Sequence, residues 1–153
     1  MKITVSAIGK IKNGSAEAQL IDNYIKRIPW QTNIYEYETK KKNKGEALKK
    51  EEAILLNSKL PASGKKIILD ERGKLISSTE LAKTVNNWQN DGISNISFLI
   101  GGADGHLEET KKNADMVLSL GKITLPHILA RIILIEQIYR AHTINSGHPY
   151  HRE

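Results

Sequence analysis

The sequence predicts an α/β fold with a mainly parallel sheet flanked by helices. Short β-branched runs alternate with segments of helical periodicity along the whole chain, the order that a parallel sheet with crossover helices requires. The 153 residues suit one domain, residues 1–153, and hydrophobic residues at 39% suffice for one core. No internal repeat interrupts the pattern.

The segment Lys2 to Ile8 is β-branched and apolar and ends at Gly9, a first strand. From Ser15 to Ile28, the residues Ala18, Ile21, Ile25 and Ile28 recur at helical spacing, and Pro29 stops the helix. Asn33 to Glu38 reads as a second strand. The basic run Lys40-Lys41-Lys42-Asn43-Lys44 leads into a helix from about Glu46 to Lys59. Pro61 to Gly64 is a turn, and Lys66 to Asp70 carries the short buried strand Ile67-Ile68-Leu69. Ser77 and Glu80 have capping-box spacing and open the next helix, with Leu81, Val85 and Trp88 along one face and Asp91-Gly92 at its close. Ile96 to Ile100 is a strand that runs straight into Gly101-Gly102. A short polar helix follows Gly105, a short strand spans Ala114 to Leu118, and a last helix runs from about Pro126 to Ile144 before a polar tail. That helix is apolar around much of its surface, so it needs cover on more than one side, and a second copy of the chain is the default source.

Composition narrows the chemistry. The chain has no cysteine, which excludes disulfides, thiolate metal sites and a cysteine nucleophile. Lys and Arg outnumber Asp and Glu by 23 to 17, and a net charge of +6 suits a polyanionic partner such as RNA. The apolar run from Ile3 to Ile8 is too short for a signal-peptide core or a membrane span, and Arg131 and Glu136 interrupt the run Ile132 to Ile135. A soluble cytoplasmic protein with no membrane association is expected.

Four segments could carry chemistry. Phe98 to Ile100 is a strand that exits into Gly101-Gly102-Ala103-Asp104-Gly105, and ligands of parallel α/β sheets bind just past such strand ends. The G-G-x-x-G spacing is neither a dinucleotide fingerprint nor a P-loop, and a plain tight turn explains the glycines equally well. Leu120-Gly121-Lys122-Ile123-Thr124-Leu125-Pro126-His127 is a second Gly-containing exit, with Pro126 placed as a helix start. Leu69-Asp70-Glu71-Arg72-Gly73-Lys74 is a third, whose charges also suit a solvated turn. The fourth is the tail Ser146-Gly147-His148-Pro149-Tyr150-His151-Arg152-Glu153. Tyr can stack on a base and Arg can grip phosphate. The spacing of His148, His151 and Glu153 matches no familiar zinc motif, so no metal is expected. The lysine run is either a solvated loop or a phosphate-binding arm.

Ala7 to Lys10, Leu69 to Lys74, Leu99 to Gly105, Thr124 to His127 and His148 to Glu153 occur in matching order and together resemble the RlmH family, the pseudouridine N3-methyltransferases of the large ribosomal subunit within the SPOUT class. The likeness spans essentially the whole chain, and the stretch near Lys41 is its least family-like part. The resemblance implies a C-terminal trefoil knot, a rare exception to the rule against knots, and a homodimer. It implies S-adenosylmethionine as methyl donor, held by Leu69, Gly102, Leu120, Gly121, Lys122, Ile123, Thr124 and Leu125. It implies that one subunit's tail completes the other's site, with Tyr150 and Arg152 at the target nucleotide. The substrate it implies is ribosomal RNA in the assembled ribosome.

Abstraction of the N3 proton needs a base, and His127, His148, His151 and Tyr150 are the candidates. Arg152 could stabilise the developing anion or hold a phosphate. Two rivals stand beside this reading: a non-enzymatic RNA- or ribosome-binding protein, which would bind no methyl donor, and a nucleotide-binding oxidoreductase, which would carry a flavin or nicotinamide chromophore.

Overall fold

The computed structural model describes residues 1–40 and 42–152. Strands and helices alternate throughout: β1 Lys2–Ile8, α1 Ala16–Ile25, β2 Gln31–Tyr37, α2 Gly45–Asn57, β3 Lys65–Leu75, α3 Ser78–Asn90, β4 Asn95–Ile100, α4 Glu108–Lys112, β5 Met116–Ser119 and α5 His127–Asn145. The five strands form one sheet in the order β2-β1-β4-β3-β5. All four pairings are parallel, from Lys2↔Gln31 on one side of β1 and Lys2↔Asn95 on the other to Ile67↔Met116 at the far edge. The expected α/β class with a mainly parallel sheet is therefore what the chain forms.

The helix starts follow from local chemistry. The Ser15 hydroxyl accepts from the Ala18 N–H and starts α1. At α3 the capping box is complete: the Glu80 N–H donates to Ser77 Oγ at 3.2 Å, and the Ser77 N–H donates to Glu80 Oε2 at 2.6 Å. α1 ends at Ile25 and not at Ile28, because Pro29 disfavours helical backbone just before it. The Arg27 and Ile28 N–H groups instead bond three residues back, to Tyr24 and Ile25. β3 also departs from expectation. Its ladder to β5 leaves register after Leu69 and resumes at Lys74, so residues 70–73 bulge out and the strand continues to Leu75. The polar residues there read as a plain turn in the sequence.

Alternation along the strands sorts the core onto two faces. Ile3, Val5, Ile67, Ile96, Phe98 and Leu118 pack with Leu134, Ile135 and Ile138 of α5 and with Leu81 and Val85 of α3. Ile8, Ile68 and Leu99 face the other way, against Leu56 of α2. Ser6 Oγ donates to the Leu56 carbonyl at 2.8 Å and ties that helix to β1.

α5 carries one charge into this core. Arg131 is 1% exposed. Its Nη2 donates to the Ile8 and Gly9 carbonyls at 3.3 and 3.0 Å, and its Nη1 lies 3.5 Å from Glu36 Oε1. Glu36 Oε2 accepts from the Ile11 N–H at 2.7 Å. The pair thus binds the start of α5, the exit of β1 and the end of β2 together. Burial works against the Arg131 charge and Glu36 restores part of it. Truncating Arg131 removes the donors to two backbone carbonyls and leaves Glu36 without its cationic partner. Arg131→Ala is expected to cost about 3 kcal/mol in urea unfolding followed by circular dichroism. Glu36→Gln, at a partly solvated position, is expected to cost about 1 kcal/mol. An Arg131→Ala variant as stable as the parent would show that the contact is incidental.

Candidate functional site

Because every strand points the same way, every strand exit lies at one end of the sheet. The exits of β3, β4 and β5 converge there around a concavity of about 570 Å³. Leu69 to Arg72 form one wall, Gly101 to His106 a second, and Leu120, Gly121 and Ile123 to His127 a third, over an apolar floor that includes Ile100 and Leu118. Lys49 of α2 and Ala130 of α5 close the rim. A volume of this size with an apolar floor and a few polar groups is what small-molecule sites usually have.

Of the expected donor-binding residues, Leu69, Gly102, Leu120, Gly121, Ile123, Thr124 and Leu125 all line this concavity. Lys122 does not line it and is exposed. Gly102 sits against a buried carboxylate: its N–H donates to Glu52 Oε2 at 3.3 Å. A Cβ at this position would run into Glu52 Oε1 and stand 3.0 Å from Glu52 Cδ, so only glycine fits without displacement. Gly121 has φ +140°, where a side chain would strain the turn. Its N–H donates to Ser119 Oγ, which donates in turn to the Gly121 carbonyl.

Three groups shape the electrostatics, and the sequence reading passed over two of them. His106 is buried, and its Nε2 accepts from the Gly101 N–H at 3.1 Å. Burial holds His106 below its ordinary pKa, with the Asp70 charge pulling partly the other way, so the imidazole serves as a neutral acceptor that pins the glycine turn. Glu52 is 4% exposed, and burial raises its pKa against the opposing Gly102 N–H. Burial also pushes Asp70 up. The Arg72 N–H and the Lys111 ammonium, 3.2 Å away, outweigh it and hold Asp70 below the usual carboxylate range. Glu52 did leave a signal in the sequence, a carboxylate four residues from Leu48 and from Leu56 on the inward stripe of a helix. His106 left none beyond its place after Gly105.

The tail lies elsewhere. It folds back along α5 of its own chain, and none of its described residues lines the concavity. The Tyr150 hydroxyl donates to Glu136 Oε1 at 3.0 Å, its ring meets Tyr139 edge-on at 4.7 Å, and the Arg140 guanidinium lies 4.8 Å above it. Burial and hydrogen bonds with Tyr24 and Glu136 raise the Tyr150 pKa far above the ordinary phenol, so here it keeps its proton. His148 Nδ1 accepts from the Tyr150 N–H, and His151 Nδ1 lies 3.1 Å from Arg140 Nη1. Arg152 is exposed, and Glu153 lies outside the described residues, as does Lys41 of the basic run. Nine residues of helix separate Glu136 from His127 at the concavity, about 14 Å at 1.5 Å per residue. Of the four candidate bases, His127 alone lines the concavity of its own chain. Among the described residues, no group of three or more His, Cys, Asp or Glu is placed to hold a metal ion, and no helix is long and apolar enough to cross a membrane.

Residues 1–151 match the family model described as "Predicted SPOUT methyltransferase". The chain is 42% identical over 152 residues to ribosomal RNA large subunit methyltransferase H of Paramagnetospirillum magneticum, with 99% of each chain covered. It is 40% identical over 159 residues to the protein of the same name from Laribacter hongkongensis, with 100% of each covered. A solved structure described as a probable methylase family protein from Haemophilus influenzae Rd KW20 shares the fold at TM-score 0.52 and 11% identity, covering 99% of this chain and 70% of that one. A family match over residues 1–151 and relatives 42% and 40% identical over nearly their whole length leave one conclusion: the chain belongs to the SPOUT methyltransferase family.

Proposed function

We propose that this protein transfers a methyl group from S-adenosylmethionine to N3 of a pseudouridine in large-subunit ribosomal RNA, acting in the cytoplasm on the assembled ribosome. The observation that carries the donor half is the convergence of three strand exits on one concavity, at whose edge a side chain on Gly102 would displace the Glu52 carboxylate. The RNA half rests on the relatives named as ribosomal RNA methyltransferases and on the net charge of +6.

The concavity suits the donor chemically. An apolar floor can take the adenine, and carboxylates at Asp70, Glu71 and Asp104 suit a cationic sulfur. The bound donor supplies a methyl group already activated by that sulfur. The chain has to hold it in line with the attacking nitrogen, exclude water and accept the N3 proton. Leu69, Gly102 and the segment from Leu120 to Leu125 are the proposed holders, Lys122 among them as an outer contact.

We assign the target-nucleotide contacts to the tail of a second protomer. Support comes from the distance between each tail and the concavity of its own chain, and from exposed apolar side chains at the start of α5. Leu129 is 47% exposed and Ile128 38%, apolar side chains that a second copy would cover. In this homodimer Tyr150 offers a stacking face and His148 and Arg152 flank the base. Because Tyr150 keeps its proton, His127 or His148 is the better base, and Arg152 stabilises charge on the pyrimidine. We further propose that residues 1–153 form one domain with a C-terminal trefoil knot. β5 lies outside β3 at the sheet edge while α5 packs on α1 and α3, an arrangement that supports this reading.

Calorimetric titration with S-adenosylmethionine should show saturable binding, weakened at least tenfold, about 1.4 kcal/mol, in Gly102→Val. A folded parent that binds no donor would sink the proposal. Arg152→Ala should lose about a hundredfold in methyl incorporation into ribosomes that lack the modification, with donor affinity within twofold of the parent. Unchanged turnover removes Arg152 from the mechanism. If the site is shared between protomers, an equimolar mixture of Gly102→Val and Arg152→Ala chains should regain activity, because each mixed dimer carries one intact site.

A further inference from the structure

The sheet end that carries the donor concavity carries a second one. It lies over the exits of β1 and β2, has a volume of about 580 Å³, and is lined by Lys10, Ile11, Lys12, Asn13, Ile34, Glu36 and Glu38. The start of α5 separates the two concavities. Ala130 lines the first, and the next residue, Arg131, holds the Ile8 and Gly9 carbonyls and faces Glu36 on the wall of the second.

The charge around this second concavity is out of balance. Lys10 and Lys12 stand on its rim, and the chain leaving β2 continues from Glu38 into Lys40, Lys42 and Lys44. All five lysines are exposed, and none makes an ion pair among the described residues. The carboxylates facing them are Glu36 and Glu38. Glu36 is already committed to Arg131 and to the Ile11 N–H. The loop that bears the distal lysines is also built in part: Glu51 of α2 accepts from the Lys40 N–H at 3.3 Å and from Asn43 Nδ2 at 2.7 Å. That holds the run against the helix that also supplies Lys49 to the rim of the donor concavity.

Unpaired lysines in a row next to a methyl-donor site fit a ribose-phosphate backbone. We propose that the β1–β2 concavity, with Lys10 and Lys12 on its rim and Lys40, Lys42 and Lys44 beyond, takes the RNA strand that flanks the target nucleotide. This rests on the reading of the protein as an RNA methyltransferase. Phosphates track the lysines, and the apolar floor at Ile11 and Ile34 gives a flanking nucleoside a face to lie against. The surface contributes affinity and orientation without sequence readout.

The test uses the full-length protein and purified bacterial ribosomes. Binding is measured across a potassium chloride series for the parent, for Lys10→Gln/Lys12→Gln, for Lys40→Gln/Lys42→Gln/Lys44→Gln, and for a control, Lys2→Gln/Lys26→Gln, which removes the same charge as the double variant but at the opposite end of the sheet. Donor affinity is measured by calorimetry in each. The double variant is expected to bind ribosomes with a log–log salt slope shallower by about 1.4 to 1.8, two phosphate contacts at ~0.7 to 0.9 each. Its KM for ribosomes should rise roughly tenfold. Donor affinity stays within twofold, and the control keeps the parent slope. If the double and triple variants keep the parent's slope and KM, or if the control loses as much as they do, the surface is not the RNA path and the proposal fails alone. A parent that binds donor but neither binds nor methylates ribosomes overturns the RNA reading, and this inference with it.

Discussion

A parallel strand pair cannot be closed by a tight turn, and all four pairings in this sheet are parallel. Each strand must therefore hand the chain to a crossover, and each crossover must begin at the same end of the sheet. This constraint collects Gly9, Glu38, Asp70, Gly101 and Leu120 on one rim, although they span more than a hundred positions of sequence. The concavity at the β3, β4 and β5 exits is then a consequence of where the backbone is forced to leave the sheet. The Arg131–Glu36 pair serves the same constraint, since it binds the first two exits to the helix that follows the last one.

The division between what could and could not be read in advance follows contact range. Strand and helix alternation, the Ser77–Glu80 capping box and the Pro29 stop are local, and the residues within a few positions determine them. The three glycine-bearing exits were readable as separate loops because each interrupts its own strand. Their convergence needed the strand order, which local patterning does not contain. The continuation of β3 past its bulge escaped notice because it depends on Lys74 and Leu75 finding β5, more than forty residues on. His106 and Glu52 escaped for a similar reason: each is meaningful only against a backbone N–H of the glycine turn, and in Glu52 that turn is fifty residues away.

The tail makes a different point about motifs. Its residue types stand out in the sequence as chemical, and in its own chain Tyr150 and His151 are tied to α5. Tyr150 is bonded to Glu136 and flanked by the guanidiniums of Arg27 and Arg140, so it is held by both hydrogen bonding and cation–π attraction. A segment held this firmly is pre-ordered. Presented to a neighbouring chain it would cost little further conformational entropy, which a frayed terminus would.

The strand order has a consequence for how the chain is made. β4 lies between β1 and β3, both of which leave the ribosome earlier. The sheet therefore cannot grow by adding each new strand to an outer edge. Until about residue 100 has emerged, the β1–β2 pair exposes an unsatisfied inner edge, and β3 has neither of its partners. β4 is the strand that joins the two halves, and β5 and α5, which complete the walls of the strand-exit concavity, follow it in the chain. Folding of this kind is dominated by distant contacts, which makes it slow and leaves bare strand edges open to other chains in the meantime. For a protein of this size, the interval before residue 100 emerges is the stage most in need of chaperone cover.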